Sequence, residues 1–164
     1  GNNSAENALY SGTLGGALEG ALQGLPAIAL SQYYGPDNAQ ADDPFEAARV
    51  HGAEVVNRII AADPAQQDGY RLFYNVNFPP VPAAAVLGTR AAPQGKRIGT
   101  RFSAEPHLSP SGRRFLWVRG GDQRAPTAEG CDADLNLRGY ITVTPMRADL
   151  TCHDALAALT ETLS

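Results

Sequence analysis

The sequence predicts an α/β fold: a sheet with helices on both faces, and a β-hairpin arm standing away from it. Three observations carry that expectation. Apolar residues recur at helical spacing in residues 11 to 24 and again after Asp43. A short apolar run follows each of these segments, PAIALS at 26–31 and YRLFYNVNFPP at 70–80, giving the order helix–strand–helix–strand. From about residue 84 the pattern changes, and RIGTRFSAEPHLSPSGRRFLWVRGG (97–121) reads as two strands around LSPSG. At 164 residues the chain is long enough for one domain with its own core.

In the first helix Leu14, Leu18 and Leu22 recur at i+4, with Ala17 and Ala21 beside them. Gly15, Gly16, Gly20 and Gly24 each lower its intrinsic propensity, so their number suggests that another backbone approaches closely. Gly24 is placed to end the helix. PAIALS is apolar at consecutive positions, as expected of a parallel strand covered on both faces. QYYGPDNAQAD (32–42) is a loop by composition. The second helix has Asp43 as N-cap, Pro44 at its first position and Glu46 completing a capping box. Its stripe is Phe45, Ala48, Gly52, Val55, Val56 and Ile59, and Asp63-Pro64 ends it. In the second strand Leu72, Tyr74, Val76 and Phe78 alternate up to Pro79-Pro80. APTAEGCDADLNL (125–137) reads as loop, and GYITVTPMRADLT (139–151) as a strand with Ile141 and Val143 on one face. Thr151 caps a last helix with Asp154 at its third position and Leu156, Leu159 and Leu163 on its apolar side. No internal repeat or second domain is visible. The single domain divides into an α/β core (1–80), a hairpin arm and loop (84–130), and a last strand and helix (131–164).

Composition narrows the function. Hydrophobic residues make up 43% and charged residues 18%, which is globular rather than disordered. Net charge is −4 with no Lys/Arg block, which argues against binding a nucleic-acid duplex, whereas a small anion is still possible. No apolar run approaches the roughly 20 residues that span a bilayer. GNNSAENALY has neither a basic nor an apolar signal-peptide region, and a cytoplasmic location is expected. The chain opens without Met in a polar stretch, as a fragment would. Cys131 and Cys152 fit neither a redox pair nor a zinc site and are expected as free thiols. His51, His107 and His153 are isolated.

The stretch most suggestive of chemistry is Tyr10-Ser11-Gly12-Thr13, at the head of the first helix. A helix N-terminus offers unpaired N–H groups and the positive end of the macrodipole. Ser11 and Thr13 add hydroxyl donors and Gly12 allows close approach, which together suit a phosphate. The plainer reading is that Ser11 or Thr13 is an N-cap and Gly12 shapes the turn. Tyr33 and Tyr34 follow the first strand at the end where α/β sheets bind ligands, and either could stack on a nucleobase, the alternative being surface tyrosines in a loop. Asp132 and Asp134 are candidate carboxylates in what reads as a solvated loop. Arg113, Arg114 and Arg119 on the hairpin read as a solvated arm or a subunit contact.

The longer pattern carries a resemblance. GNNSAENALYSGTLGGALEGALQGLPAIALS resembles the SurE survival-protein family of 5′/3′-nucleotidases, which has a Gly-x-Asn element before YSGT, then a small-residue helix with EG, then G-x-PAIA-x-S. NVNFP (75–79) looks like the family's NINVP, and CDADLNLRGYITVTPMRADLT (131–151) is similar to its TD…A…GYxSxTPLxxDLT. Cys131 stands where Ser or Thr is usual, and Met146 where Leu is usual. The resemblance spans nearly the whole chain and implies a three-layer, Rossmann-like SurE sheet with an extended arm, of which this chain is an incomplete piece.

It further implies a metal-dependent phosphomonoesterase acting on nucleoside 5′/3′-monophosphates or another small phosphomonoester. The cation, Mg²⁺ or Mn²⁺ and one per site, would be held by two adjacent aspartates, a serine and an asparagine lying upstream of residue 1. No Asp-Asp-Gly follows an opening strand here; the one Asp-Asp pair, Asp42-Asp43, begins a helix. An ungapped match puts Asn3 with Ser11, Gly12 and Thr13 on the phosphate side of the site and no metal ligand in this chain. A gapped match puts Asn3 on the metal and Asn7 on the phosphate. The family's assembly implies a homodimer or homotetramer joined partly through arms. The alternatives are a non-catalytic oligomerisation fragment and a diverged phosphatase with a non-nucleotide substrate.

Overall fold

The computed structural model describes residues 1–63 and 69–163. Four strands form the main sheet in the order β1-β2-β6-β3: β1 (Ala27–Gln32), β2 (Phe73–Phe78), β6 (Ile141–Met146) and β3 (Thr89–Ala91). β1 and β2 run parallel with Ser31 beside Asn77, β2 and β6 run antiparallel with Asn77 beside Thr142, and β3 is parallel to β6. The hairpin β4 (Ser103–Leu108) and β5 (Arg114–Arg119) forms a separate two-stranded sheet.

The two faces of the sheet carry different helices, because side chains alternate along each strand. α1 (Gly12–Leu22) buries Leu14, Ala17 and Ala21 against Ala29 and Phe73. α2 (Glu46–Ala62) buries Ala47, Val55 and Ile59 against Val76, Phe78 and Ile141 on the other face. This is the layered α/β arrangement expected from the sequence. α1 ends as anticipated: Gly24 has φ +78°, and the N–H of Leu25 reaches back to the carbonyl of Gly20.

Several local expectations are corrected. The α1 glycines are not pressed by another backbone of this chain: a Cβ added at Gly15 or Gly16 would meet open space, and one at Gly20 would meet only the Ala27 side chain. α2 starts at Glu46, not at Pro44, because residues 43–46 first close a turn in which Asp43 Oδ1 accepts the N–H of Phe45. Glu46 closes no capping box and accepts the N–H of Ala83 instead. Phe45 thus leaves the buried stripe and is 51% exposed. Asp63 ends α2; Pro64 lies outside the described residues.

Asp132–Leu137, read as loop, form the short helix α3. Ala5–Tyr10 form a 3-10 helix before α1. The hairpin lies where it was expected, with Gly112 at φ +76° in its turn. The last helix, α4 (His153–Leu163), leaves Leu156, Leu159 and Leu163 exposed on this chain. Both cysteines are free thiols.

Candidate functional site

The α1-facing side of the sheet changes character along its strands. Ala27, Ala29 and Phe73 lie under the body of α1, whereas Ser31, Asn75, Asn77, Thr142 and Thr144 occupy the same face farther on and are buried. A polar floor of this kind needs polar partners. Asn3, in the loop of residues 2–5, supplies them to Ser31, Asn75 and Asn77, whereas the hydroxyls of Thr142 and Thr144 have none among the described residues. Asn77 Oδ1 accepts the Asn3 N–H at 2.8 Å, and Asn75 Nδ2 donates to the Asn3 carbonyl at 2.9 Å. Asn77 Nδ2 donates to Asn75 Oδ1, so the two amides orient each other. The Asn3 side chain donates from Nδ2 to Ser31 Oγ at 2.6 Å.

The far side of this loop is tied to the second half of the chain. Ala5 has φ +52°, a left-handed conformation that an alanine adopts at some cost. Asp132 Oδ2 accepts its N–H at 2.9 Å and Gln94 Nε2 donates to its carbonyl. Asp132 Oδ1 accepts from the N–H groups of Gly95 and Ala133. Burial pushes the Asp132 carboxyl above the usual carboxylate range, against the pull of these three donors and of Arg97. Arg97, itself buried, donates to the carbonyl and hydroxyl of Ser4 and pairs with Glu6. Burial works against ionised Glu6, but Arg97 outweighs it and the carboxyl is held below its ordinary value.

These ties present one cleft of about 240 Å³, lined by Gly1, Asn3, Thr13, Leu30, Ser31, Gln32, Phe45 and Ala48. It lies at the N-terminus of α1 and the C-terminal end of β1. Asn3 and Thr13 both line it. Ser11 and Gly12 do not line the cleft. Ser11 is the N-cap, its Oγ accepting the N–H of Leu14 at 3.1 Å, and Gly12 is exposed with open space beside it.

Residues 1–101 match the Survival protein SurE family. This chain belongs to the SurE family. It is 69% identical over 159 residues to the 5′-nucleotidase SurE of Roseobacter denitrificans, covering 97% of this chain and 61% of that protein. It is 69% identical over 163 residues to the 5′-nucleotidase SurE of Ruegeria pomeroyi, covering 99% of this chain and 63% of that protein. The chain thus spans somewhat under two thirds of these SurE relatives. The crystal structure of the SurE protein from Aquifex aeolicus superposes with a TM-score of 0.71 at 28% identity, covering 100% of this chain and 62% of that one.

Within this SurE chain some candidates change standing. Tyr33 is 1% exposed, its ring against Gly35, and has no free face for a base. Tyr34 is exposed and lies parallel to Phe45, with ring centroids 6.0 Å apart. Asp132 is a buried anchor rather than a solvated loop carboxylate. Asp134, in the first turn of α3, accepts the N–H of Gly130 and ties the preceding turn to the helix. Asn7 donates to the carbonyl of Asn2 and does not line the cleft. The sequence reading missed Ser31 and Phe45 as cleft residues. Two asparagines at i and i+2 of an otherwise apolar strand were the available signal for the polar floor.

The cleft's own polar side chains are the amides of Asn3 and Gln32 and the hydroxyls of Thr13 and Ser31. A hard divalent cation prefers carboxylate oxygen, and among the described residues no group of three or more His, Cys, Asp or Glu could hold a metal. The residues present do not fit as the ligand set of Mg²⁺ or Mn²⁺. No helix described here is long and apolar enough to cross a membrane.

Proposed function

We propose that this chain supplies the phosphate-holding side of a phosphomonoesterase acting on nucleoside 5′- or 3′-monophosphates. The observation that carries the reading is the meeting of Asn3 and Thr13 in one cleft, at a helix N-terminus, in a chain so similar to proteins named 5′-nucleotidase. Thr13 and the α1 N–H groups would take phosphate oxygens, since the helix N-terminus favours negative charge there. The Asn3 amide, fixed by Asn75, Asn77 and Ser31, adds a donor that need not reorganise as charge develops. Ser11 holds the first turn of α1 open toward the phosphate through its cap to Leu14, and Gly12 leaves room for the ester. The cation, Mg²⁺ or Mn²⁺, would take its carboxylates mostly from residues upstream of residue 1.

The remaining expectations belong to the same proposal. The chain acts as one domain in a cytoplasmic homodimer or homotetramer. The hairpin supports the assembly reading: Phe115, Leu116, Trp117 and Val118 of β5 are all exposed on this chain, more apolar surface than a single solvated strand would carry. The exposed leucines of α4 support it in the same way.

The test of the activity is release of inorganic phosphate from nucleoside monophosphates by the full-length protein with and without Mn²⁺. Release that depends on the cation supports the proposal. No release from any nucleoside monophosphate in its presence contradicts it.

A further inference from the structure

The cleft has two chemistries. Asn3, Ser31 and Thr13 line it on the α1 side of β1, whereas Leu30, Ala48 and Phe45 line it on the α2 side. Successive residues of a strand point to opposite faces, so Leu30 and Ser31 place the apolar and polar walls on either side of the same strand end.

Phe45 is the unusual member. A phenylalanine just before an amphipathic helix is expected in the core, yet this ring is 51% exposed. Its backbone is held in a turn all the same. Asp43 Oδ1 accepts the Phe45 N–H at 3.0 Å, and Asp43 is itself paired with Arg49 at 2.8 Å. Tyr34, also about half exposed, lies against the ring at an interplanar angle of 12°. Tyr34 therefore braces one side of Phe45 while the cleft borders it on another. A braced, exposed aromatic beside a phosphate-sized polar wall suits a planar ligand group better than it suits solvent.

We infer that Phe45, backed by Tyr34, is the platform on which the nucleobase of a nucleoside monophosphate stacks while its phosphate lies toward Asn3 and Thr13. The inference rests on the phosphate reading of the cleft and adds the specificity residue. Stacking on an aromatic ring is tolerant of base identity, because every base has a π-face. The platform therefore distinguishes nucleotides from sugar phosphates rather than one base from another, and a purine, with the larger face, gains more than a pyrimidine.

The experiment is a calorimetric titration of the full-length protein, kept in a chelator so that nothing is hydrolysed, with adenosine 5′-monophosphate and with ribose 5-phosphate. The unaltered protein is expected to bind the nucleotide about tenfold more tightly than the sugar phosphate. Phe45→Ala abolishes that preference, and Phe45→Trp keeps it. Since Phe45 is exposed, the alanine variant should fold, which its circular dichroism spectrum checks. A preference that survives Phe45→Ala, or none in the unaltered protein, overturns the inference. The outcome is separable from the activity: a protein that releases phosphate equally well from both esters and binds them equally is a phosphatase without this platform. A Phe45-dependent preference with no hydrolysis keeps the platform and removes the phosphatase.

Discussion

Asp132 and Ala5 are 127 positions apart in sequence and joined at 2.9 Å, carboxylate oxygen to backbone N–H. The bond holds a left-handed alanine two residues after Asn3, so the geometry of the cleft depends on a residue near the start of α3. Asp132→Ala would leave the N–H groups of Ala5, Gly95 and Ala133 without this acceptor. The Ala5 and Ala133 bonds are buried and the Gly95 bond partly so; at roughly 1–3 kcal/mol for each buried donor orphaned, a loss of at least about 2 kcal/mol is expected. Urea denaturation of the full-length variant measures it. A change under about 1 kcal/mol would show that the clamp is not what holds the loop.

Ser11 and Thr13 should separate. Ser11→Ala removes the cap to Leu14 and should cost about 1 kcal/mol of stability, while Ser11→Asn keeps a capping oxygen and should recover most of it. Thr13 is exposed, and Ser11 rather than Thr13 caps α1, so Thr13→Ala should leave the stability within about 0.5 kcal/mol of the original. On the phosphate reading, Thr13→Ala nevertheless lowers kcat/KM by about tenfold to a hundredfold, as removal of a charge-stabilising donor does. Equal activity in Thr13→Ala would remove Thr13 from the site.

Glu6 gives a pH dependence of definite sign. Its folded-state value lies below the ordinary 4.5 because Arg97 outweighs burial. A lowered carboxylate contributes stability that is present above pH 4.5 and is lost as pH falls through the folded-state value. The stability gap between the unaltered protein and Glu6→Gln should therefore be widest near neutrality and narrow in acid. Denaturant midpoints taken down from pH 7 read this directly. A gap that widens in acid would reverse the assignment.

Trp117 is the one tryptophan in the chain and sits half exposed on β5. If the hairpin meets a second copy, its ring is covered in the assembly and exposed on dilution. Emission should shift to longer wavelength as the protein is diluted, in step with a fall in sedimentation coefficient. Leu116→Lys with Val118→Lys on the same strand should shift both transitions to higher concentration. Emission independent of concentration, together with a monomeric sedimentation coefficient throughout, would leave the hairpin without that partner.

How much of this was legible beforehand follows from where each feature's cause lies. The helix-strand order, the hairpin turn and the Gly24 stop are written in local periodicity and in a single positive φ, so the sequence carried them. The start of α2 was misplaced because Asp43 closes a turn before it caps anything, and that shift of two residues brought Phe45 from the core to the cleft. Asp132 looked solvated because its three partners come from residue 5, residue 95 and its own helix, and only folding joins them. Tyr33 and Tyr34 are adjacent and chemically alike, yet just past the end of β1 the chain buries one and exposes the other. Asn3 and Thr13 were identifiable as a pair through family resemblance; the amide floor that fixes Asn3 was not, since NVN alone reads as a strand.

Where phosphate binds is the most direct test of the site. Titration of the isotope-labelled full-length protein with inorganic phosphate, followed by amide chemical shifts, locates it. The largest shifts are expected at the backbone N–H groups of Gly12 and Thr13, since that of Leu14 is held by the Ser11 cap, and at the side-chain amide of Asn3, with Thr13→Ala weakening the apparent affinity. Shifts confined to Arg113, Arg114 and Arg119 on the hairpin, with none at the head of α1, would contradict the phosphate reading.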